Sequence, residues 1–245
     1  MKVVGVIPVR YHSKRFPGKA LFKIQGKTVL EHVYKRASAS SMLDRLIVAT
    51  DDKRIADCAT EIGAELFFSK TVHTCGTERV AEAVRRKKAD IVVNIQGDEI
   101  LLKPKIIAAS IDALESGEDI SCGTVCHPID SDEDFVNEDI VKVVLDKKNM
   151  ALYFSRSPIP NPARAGRDFA LRLGHIGIYA FRKAALLRFA KIGPTPLERT
   201  EKLEQLRLLE SGMKIKASLT KLKNFSLNRR NDIPVIVQML QAERG

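Results

Sequence analysis

Four cationic side chains lie close together near the N-terminus, in the segment IPVRYHSKRFPGKAL (residues 7–21): Arg10, Lys14, Arg15 and Lys19. The arginines offer planar donor forks and the lysines offer point charges, a combination suited to holding a polyphosphate. Pro17 and Gly18 are expected to turn the segment so that its cations converge. The segment contains neither GxGxxG nor GxxxxGKS/T, so charged side chains replace glycine amides as the anion-holding groups. The alternative is a basic surface loop whose charges are only solvated.

A second group of polar residues follows the apolar run that ends at Ile95. In NIQGDE (94–99), Asp98 stands just beyond the end of a predicted strand, where a carboxylate can hold Mg²⁺ beside a phosphate. Gln96 carries both an amide donor and an acceptor, so it can read a base or a ribose. The alternative for this segment is an ordinary Gly-Asp turn.

The third candidate is CGTER (75–79), which combines a small-residue turn with a hydroxyl and an arginine. The simplest interpretation is the start of a helix. We expect Thr77 to cap that helix and Glu78 to interact favourably with its N-terminal dipole.

Apolar segments alternate with helical patterns through the first half of the chain. The predicted strands are 2–8, 45–50, 64–69 and 90–96, and the predicted helices are 28–38, a segment from Asp51 to Gly63, and 77–88. Continuous apolar strands separated by helices indicate an α/β fold with a mostly parallel sheet and helices on both faces. Because ligands bind outside the carboxyl ends of such strands, loops 8–19, 70–77 and 97–102 are expected to converge on one crevice.

The second half has a different pattern. Residues 140–156 predict a β-hairpin, 157–166 a Pro-rich loop, 172–181 another strand and 196–209 one helix. This pattern fits a mixed β extension, roughly 140–215, within a single domain that spans 1–245.

Composition excludes several classes of protein. No apolar run approaches the roughly 18 residues that cross a membrane, and the apolar N-terminus is too short for a signal peptide, so we expect a cytoplasmic protein without a membrane partner. The four cysteines lack zinc-ligand spacing, and Cys122 and Cys126 are expected to be small buried residues on a strand. The net charge of +11 favours anionic partners, but no RNP-type motif accompanies the basic runs, so phosphorylated small molecules are favoured over a specific nucleic acid.

Seven motifs, in their order along residues 3–218, closely resemble the CMP-KDO synthetases, the 3-deoxy-manno-octulosonate cytidylyltransferases. They are IPVRYHSKRFPGKAL, ATDD (49–52), CGTER, NIQGDE, ALYFSR (151–156), HIGIYAF (175–181) and PLERTEKLEQLR (196–207). The resemblance implies a Rossmann-like nucleotidyltransferase fold and a homodimer formed through the β extension. It also implies that CTP and a 3-deoxy-2-ulosonic acid give a CMP-sugar and pyrophosphate with Mg²⁺, for lipopolysaccharide or surface polysaccharide synthesis.

The resemblance also assigns roles to individual positions. Arg10 and Lys19 match residues that grip the triphosphate, and Asp98 matches a magnesium ligand; these three are the expected catalytic residues. The remaining nucleotide-site positions are Pro8, Gly76 and Gln96. The positions associated with the sugar acid are Arg15, Arg156, His175, Glu204 and Gln205.

One motif departs from the family pattern. In LNRRNDI (227–233), Asn228 stands where the family has a metal-binding aspartate, and an amide holds Mg²⁺ more weakly than a carboxylate does. Three interpretations follow: one firm metal site, an arginine that replaces part of the metal charge, or catalysis that is weakened or redirected. Asp232 is a further candidate ligand about one helical turn away.

The sugar acid and the activity itself have alternatives. The loop between Arg156 and His175 is short for the family, which leaves KDO, an 8-amino form and a nine-carbon ulosonic acid as candidate substrates. Another sugar-nucleotide transferase is the alternative within the same class. A catalytically silent, basic binding protein that kept the fold is the alternative of a different class.

Overall fold

A computed structural model of the chain describes residues 1–13, 15–117, 119–161, 172–222 and 224–243. The chain divides into two compact units. The first unit comprises residues 1–107 together with 224–245, and the second comprises 108–223. The chain therefore leaves the first unit after residue 107 and returns to it at residue 224.

The described residues form an α/β structure, as the sequence predicted. The strands are β1 Val3–Pro8, β2 Lys23–Ile24, β3 Lys27–Thr28, β4 Arg45–Thr50, β5 Glu65–Phe68, β6 Ile91–Ile95, β7 Cys122–Pro128, β8 Lys142–Leu145, β9 Ala151–Ser155, β10 Leu173–Arg182 and β11 Ile215–Leu219. The α-helices are α1 Val29–Ser38, α2 Lys53–Glu61, α3 Gly76–Val84, α4 Pro104–Glu115, α5 Asp132–Val136, α6 Lys183–Phe189, α7 Pro196–Glu201, α8 Gln205–Glu210 and α9 Ile233–Ala242.

The first unit contains the parallel sheet that the apolar strand pattern predicted. Its strand order is β6–β1–β4–β5, and every neighbouring pair is parallel. All six residues of β1 are buried, which explains why this strand is apolar along its whole length. Because the strands are parallel, their carboxyl ends lie at one edge, and the loops that carry the candidate residues start there.

Helix boundaries in the first unit follow local capping chemistry. Thr28 caps α1 by accepting a hydrogen bond from the Glu31 amide, and Asp52 caps α2 by accepting one from the Arg54 amide. Helix α3 ends at Val84, so the basic run 85–88 follows the helix, where cations complement its C-terminal dipole.

The second unit is a mixed sheet. Strand order is β11–β7–β10, with β8 beside β10 and β9 beside β8. Only the β11–β7 pair is parallel; the hairpin predicted over 140–156 is the antiparallel β8–β9 pair. Cys122 and Cys126 are buried on β7 as free thiols, and burial raises the pKa of Cys126 to about 12, which confirms that both are small core residues.

The prediction of a single helix over 196–209 is wrong. The segment forms two helices, α7 and α8, separated at Lys202, whose φ is 56°. The cause is an ion pair between Glu198 and Arg207, with nitrogen–oxygen distances of 2.6 and 2.7 Å, in which the guanidinium is fully buried. In one continuous helix these two residues would be about 13 Å apart along the axis, so forming the pair requires the chain to fold back.

Within the described part of the chain, no helix is both long and apolar enough to span a membrane.

Candidate functional site

The basic loop after β1 turns where Pro17 and Gly18 predicted a turn. Gly18 has a φ of 70°, a conformation that glycine adopts without strain, and its amide donates to the Tyr11 carbonyl at 3.0 Å. This turn starts a short 3₁₀ helix at Lys19. The Lys19 Nζ then donates to the Asp98 carboxylate at 2.6 Å and to the Leu227 carbonyl at 2.8 Å.

The basic loop is also anchored by its aromatic side chains. The Arg54 guanidinium lies 3.2 Å from the centroid of the Tyr11 ring, a cation–π contact. The Phe16 ring is buried and packs edge-on against Phe22. A loop that served only to keep charges in solvent would not need a buried aromatic residue and an ion-paired lysine, so these contacts favour the functional interpretation.

Asp98 lies in the turn after β6, beside a segment from the far end of the sequence. Its carbonyl accepts a hydrogen bond from the Leu227 amide at 2.9 Å, while its carboxylate pairs with Lys19. The predicted Gly-Asp turn is therefore present, but the Asp98 side chain also forms a charged contact with the basic loop. The turn and the functional interpretation are compatible.

The neighbouring carboxyl group of Glu99 is buried and was missed at the sequence level. It accepts hydrogen bonds from the Asn224 amide and, at 2.8 Å, from the Ser226 hydroxyl. Burial, followed by the nearby Asp98 charge, raises the pKa of Glu99 to about 8. Glu99 anchors the returning C-terminal segment, and the motif NIQGDE alone gives no signal of this because its partners are more than a hundred residues away.

The predicted cytidine-pocket residues converge. A Cβ atom added to Gly76 would lie 3.4 Å from Cγ of Pro8 and 3.7 Å from Oε1 of Gln96. The first turn of α3 therefore approaches both strand ends closely, with an apolar ring on one side and an amide on the other. The expected convergence of the loops after β1, β5 and β6 is present in the first unit.

The expectation that Thr77 caps α3 is wrong. The helix begins one residue earlier, with Cys75 as its N-cap, so Thr77 lies in the first turn. Its side chain is buried and accepts a hydrogen bond at 2.8 Å from Nδ2 of Asn94 on β6. Glu78 accepts from both the amide and the hydroxyl of Thr74, at 2.8 and 2.6 Å. The glutamate therefore organises the helix start, and Thr77 joins the helix to the sheet.

The two arginines of the basic loop have different surroundings. Arg10 follows the end of β1 and is exposed. Arg15 donates from Nη2 to Oδ1 of Asn228 at 2.9 Å. Lys14, expected to be solvated, lies outside the described residues.

In the second unit, Arg156 is held by carbonyl groups and by Glu201. Its Nε donates to the Glu201 carbonyl at 3.1 Å and its Nη1 to the Glu138 carbonyl at 2.8 Å. The Glu201 carboxylate accepts from the Arg156 amide at 2.9 Å and from the Ser155 hydroxyl at 2.6 Å. Glu201 thus fixes the backbone from which Arg156 projects.

His175 occupies an apolar environment on β10. Its Nε2 is 2.9 Å from the Thr124 hydroxyl, and its ring packs against Phe154 and Tyr179. Burial, with a smaller contribution from His127, lowers the pKa of His175 to about 3. The side chain is therefore a neutral, hydrogen-bonded histidine at physiological pH.

The two remaining sugar-site positions adjoin the break between α7 and α8. Glu204 is the N-cap of α8. Burial, followed by the Glu204 charge, raises the pKa of Cys122. Gln205 is buried at the first position of the helix. The loop 162–171, whose length bears on the sugar acid, lies outside the described residues.

The chain matches known proteins along nearly its whole length. The family model described as Cytidylyltransferase matches residues 4–215. The 3-deoxy-manno-octulosonate cytidylyltransferase of Geobacter metallireducens is 41% identical over 98% of each chain, and that of Syntrophobacter fumaroxidans is 44% identical over 98% of this chain and 97% of its own. The chain belongs to the 3-deoxy-manno-octulosonate cytidylyltransferase family.

Solved structures agree with this family assignment. A CMP:2-keto-3-deoxy-manno-octonic acid synthetase complexed with CTP superposes with a TM-score of 0.91 at 34% identity, covering 99% of this cytidylyltransferase and all of that chain. A 4-diphosphocytidyl-2C-methyl-D-erythritol synthase from Anaerococcus prevotii, with a TM-score of 0.63 and 15% identity, shares the fold. The predicted nucleotidyltransferase fold is confirmed.

The oxygen donors of this cytidylyltransferase suit a cation that is held mainly by phosphates. In the described ranges, no three histidine, cysteine or acidic side chains are grouped so as to bind a metal by themselves. Asp98 supplies one carboxylate, and the adjoining segment supplies the Leu227 carbonyl. Magnesium commonly binds through one or two carboxylates together with substrate phosphates, so this set fits Mg²⁺ when the triphosphate is present.

The Asp232 carboxylate binds backbone amides of its own segment. One oxygen of its carboxylate accepts hydrogen bonds from the backbone amides of Asn228 and Arg229, both at 2.7 Å. A carboxylate that caps these amides stabilises the turn before α9. The geometry therefore gives Asp232 a structural role and provides no support for it as a substitute metal ligand.

Proposed function

We propose that this chain transfers CMP from CTP to the anomeric hydroxyl of KDO, a 3-deoxy-2-ulosonic acid, and releases pyrophosphate. The observation that carries the proposal is the pairing of Lys19 with Asp98, next to the Pro8–Gly76–Gln96 pocket, at the carboxyl ends of the parallel strands. Parallel α/β sheets bind nucleotides at this edge. The near-complete superposition on a CTP-bound synthetase supports the same assignment.

Three residues form the proposed base pocket. Pro8 contributes an apolar ring to the pocket wall, and Gly76 brings the first turn of α3 close to that ring. The Gln96 amide has one oxygen acceptor and two N–H donors. Cytosine carries an exocyclic amino donor beside ring acceptors, so one amide can pair with both kinds of group.

The phosphates are bound by the basic loop. Lys19 and Arg10 supply positive charge, and contacts with Asp98 and the Leu227 carbonyl fix the Lys19 ammonium group. In the reaction, the sugar hydroxyl attacks the α-phosphorus and the bond to the β-phosphate oxygen breaks. Negative charge therefore grows on the departing pyrophosphate. Cations placed in advance stabilise that charge without reorganisation at the moment of reaction.

We further propose that Mg²⁺ is the cofactor and that Asp98 holds it together with the phosphates. When bound, the ion neutralises phosphate charge and reduces the repulsion between two anionic substrates. Asn228 contributes an amide oxygen and no charge, so Asp98 is the main protein ligand in this proposal. Lys19 would then share Asp98 with the cation, while the Leu227 carbonyl keeps its Nζ beside the phosphates.

The acceptor would be recognised through the second unit. Arg156 supplies the charge that a sugar carboxylate needs. His175 and Gln205 are partly or fully buried, so in this proposal they shape the pocket wall and supply no charge. We propose that the enzyme acts as a homodimer through the β extension, where Leu152 of β9 is 59% exposed.

A pyrophosphate-release assay tests the function. Purified protein is incubated with Mg²⁺ and each of CTP, UTP and ATP, and each nucleotide is paired with KDO, 8-amino-KDO or a nine-carbon ulosonic acid. Release that requires both CTP and KDO is the expected result. Release with a different sugar acid would redefine the acceptor, while no release with any pair contradicts an enzymatic function. In that case a salt-sensitive shift of DNA or RNA would identify a basic binding protein.

A further inference from the structure

A buried arginine on α3 grips the backbone directly before Arg10. Nη1 of Arg79 donates to the Val9 carbonyl at 2.7 Å and to Oδ1 of Asp51 at 2.8 Å, and its Nη2 donates to Oδ2 of Asp51 at 2.6 Å. The Arg79 side chain is only 7% exposed. One guanidinium therefore joins helix α3, the residue after β4 and the residue after β1.

Both the amide and the carbonyl of Val9 are held by hydrogen bonds. The Val9 amide donates to the Ala49 carbonyl at 2.8 Å, which extends the β1–β4 pairing by one residue. The Val9 carbonyl, which has left the regular ladder, is the group that Arg79 binds. With both groups held, the direction in which the chain leaves the sheet at Arg10 is set.

We infer that Arg79 is a positioning residue that acts through Val9 to place Arg10 and the start of the basic loop for the triphosphate. The inference rests on the proposed function, because the triphosphate is its readout. Arg79 itself lies beneath the loop and touches protein groups only. Asp51 orients the guanidinium through a two-point contact that a lysine cannot reproduce.

A purely stabilising role does not explain where this arginine is placed. Replacing a buried ion pair with apolar residues is often neutral for stability, and the Asp51 side chain is 38% exposed, so the ion pair alone contributes little stability. The carbonyl contact does give one, since a charged donor orients one chosen peptide group. The pair between Arg45 and Glu65 in the same unit is also two-pronged, at 2.8 and 3.0 Å, but it is exposed and joins the first residues of strands β4 and β5. It provides a matched control.

The test compares Arg79→Lys with Arg45→Lys. A misplacement of about 1 Å can cost on the order of 10²-fold in rate. We expect Arg79→Lys to lower kcat/KM for CTP by about 10- to 10²-fold and to raise KM for CTP, while KM for the sugar acid stays within about twofold. Arg45→Lys should leave all three unchanged. The CTP-induced rise in melting temperature should shrink in Arg79→Lys and persist in Arg45→Lys.

Asp51→Asn provides a second variant if Arg79→Lys does not fold. It keeps an acceptor for the guanidinium but loses the charge that orients it, so we expect the same selective rise in KM for CTP, at a smaller size. Added methylguanidinium should restore part of the CTP dependence in Arg79→Ala.

Two other outcomes are distinguishable. If the folded variants keep the wild-type KM for CTP and show only a lower melting temperature, Arg79 is structural and the inference is overturned. If the wild-type protein neither binds CTP nor releases pyrophosphate, the proposed function itself fails, and the inference about Arg79 fails with it.

Discussion

Arg15 donates a hydrogen bond from Nη2 to Oδ1 of Asn228 at 2.9 Å, although the two residues are 213 positions apart in the sequence. An aspartate at position 228 would present a negative oxygen, whereas the amide presents a neutral one and already meets a guanidinium. A positive charge thus lies where the family resemblance places a metal-binding carboxylate. Of the three interpretations raised by the sequence, the one in which an arginine replaces part of the metal charge has a direct structural counterpart.

Restoring a carboxylate at this position should strengthen the metal site. For Asn228→Asp, we expect the Mg²⁺ concentration that gives half-maximal activity to fall about threefold or more, because carboxylates bind Mg²⁺ more strongly than amides do. Asn231→Asp, three positions along at an exposed position, makes the same change in charge and should leave the magnesium titration as it was. An unchanged titration in Asn228→Asp would mean that position 228 is not at the metal.

The lysine that pairs with Asp98 should be needed for turnover rather than for folding. We expect Lys19→Ala to lower kcat/KM for CTP by about 10²-fold, since preorganised cations at developing phosphate charge contribute at this scale. Its melting temperature should change by only a few degrees, because a partly exposed ion pair contributes about 1 kcal/mol or less. Lys23→Ala removes an exposed cation nearby and should have no effect on either quantity. Equal, mild effects of the two variants would show that the loop is only a solvated surface.

Glu201 should matter for the acceptor and not for the nucleotide. In Glu201→Ala the Ser155 hydroxyl and the Arg156 amide lose their carboxylate partner, so the backbone at Arg156 is no longer held in place. We expect KM for the sugar acid to rise about tenfold while KM for CTP stays within about twofold, as misplacing a binding group predicts. Glu133→Gln, on the exposed side of α5, is the control. A parallel rise in both KM values would instead indicate a general loss of structure.

His175 should make the protein less stable in mild acid. Its pKa is about 3 in the folded state, against the ordinary 6.5, so the unfolded chain takes up a proton below pH 6.5 and the folded chain does not. The free energy of unfolding should therefore fall as the pH drops from 7 to 5. If the whole pKa difference contributes, the free energy of unfolding falls by about 2 kcal/mol between pH 7 and pH 5. Because the ring is partly exposed, we expect a fall of about 1 kcal/mol.

Urea titrations at pH 7 and pH 5 measure this contribution. His175→Gln keeps a polar group near Thr124 but cannot be protonated, so its stability should change less between the two pH values. His12→Gln, at an exposed position, should behave like the wild-type protein. If His175→Gln shows the same pH dependence as the wild-type protein, other groups are responsible.

The proposed dimer can be tested on the β extension. Leu152 is a large apolar side chain exposed on β9, and burying a charge in an apolar contact is strongly unfavourable. We expect Leu152→Glu to shift the molar mass measured by light scattering from that of a dimer to that of a monomer. Lys147→Glu, on the exposed turn of the same hairpin, should leave the mass unchanged. A monomeric wild-type protein would contradict the dimer directly.

Local patterns predicted those parts of the molecule that depend on local chemistry. Strands β4 and β10 were located within a residue, because continuous apolar runs bounded by polar residues mark buried strands. The Gly18 turn was predicted for the same kind of reason. Motif order then identified Lys19 and Asp98, and the structure places them in contact.

Distant contacts account for what the sequence did not predict. Helical periodicity continues through Lys202, but the ion pair between Glu198 and Arg207 breaks the helix there. Threonine often caps helices, but the Thr77 hydroxyl instead accepts a hydrogen bond from Asn94 on strand β6. Glu99 is buried because Asn224 and Ser226 return to cover it, and no window of neighbouring residues contains that information.

The pairing of Lys19 with the Leu227 carbonyl also has a consequence for biosynthesis. Residues 7–99 emerge from the ribosome long before residues 224–228, yet the Lys19 and Glu99 contacts require both stretches. A nascent chain that stops between residues 99 and 223 would carry the basic loop and Asp98 without the segment that holds them. The nucleotide pocket therefore reaches its final form only late in translation, and truncated translation products are expected to lack a fully assembled pocket.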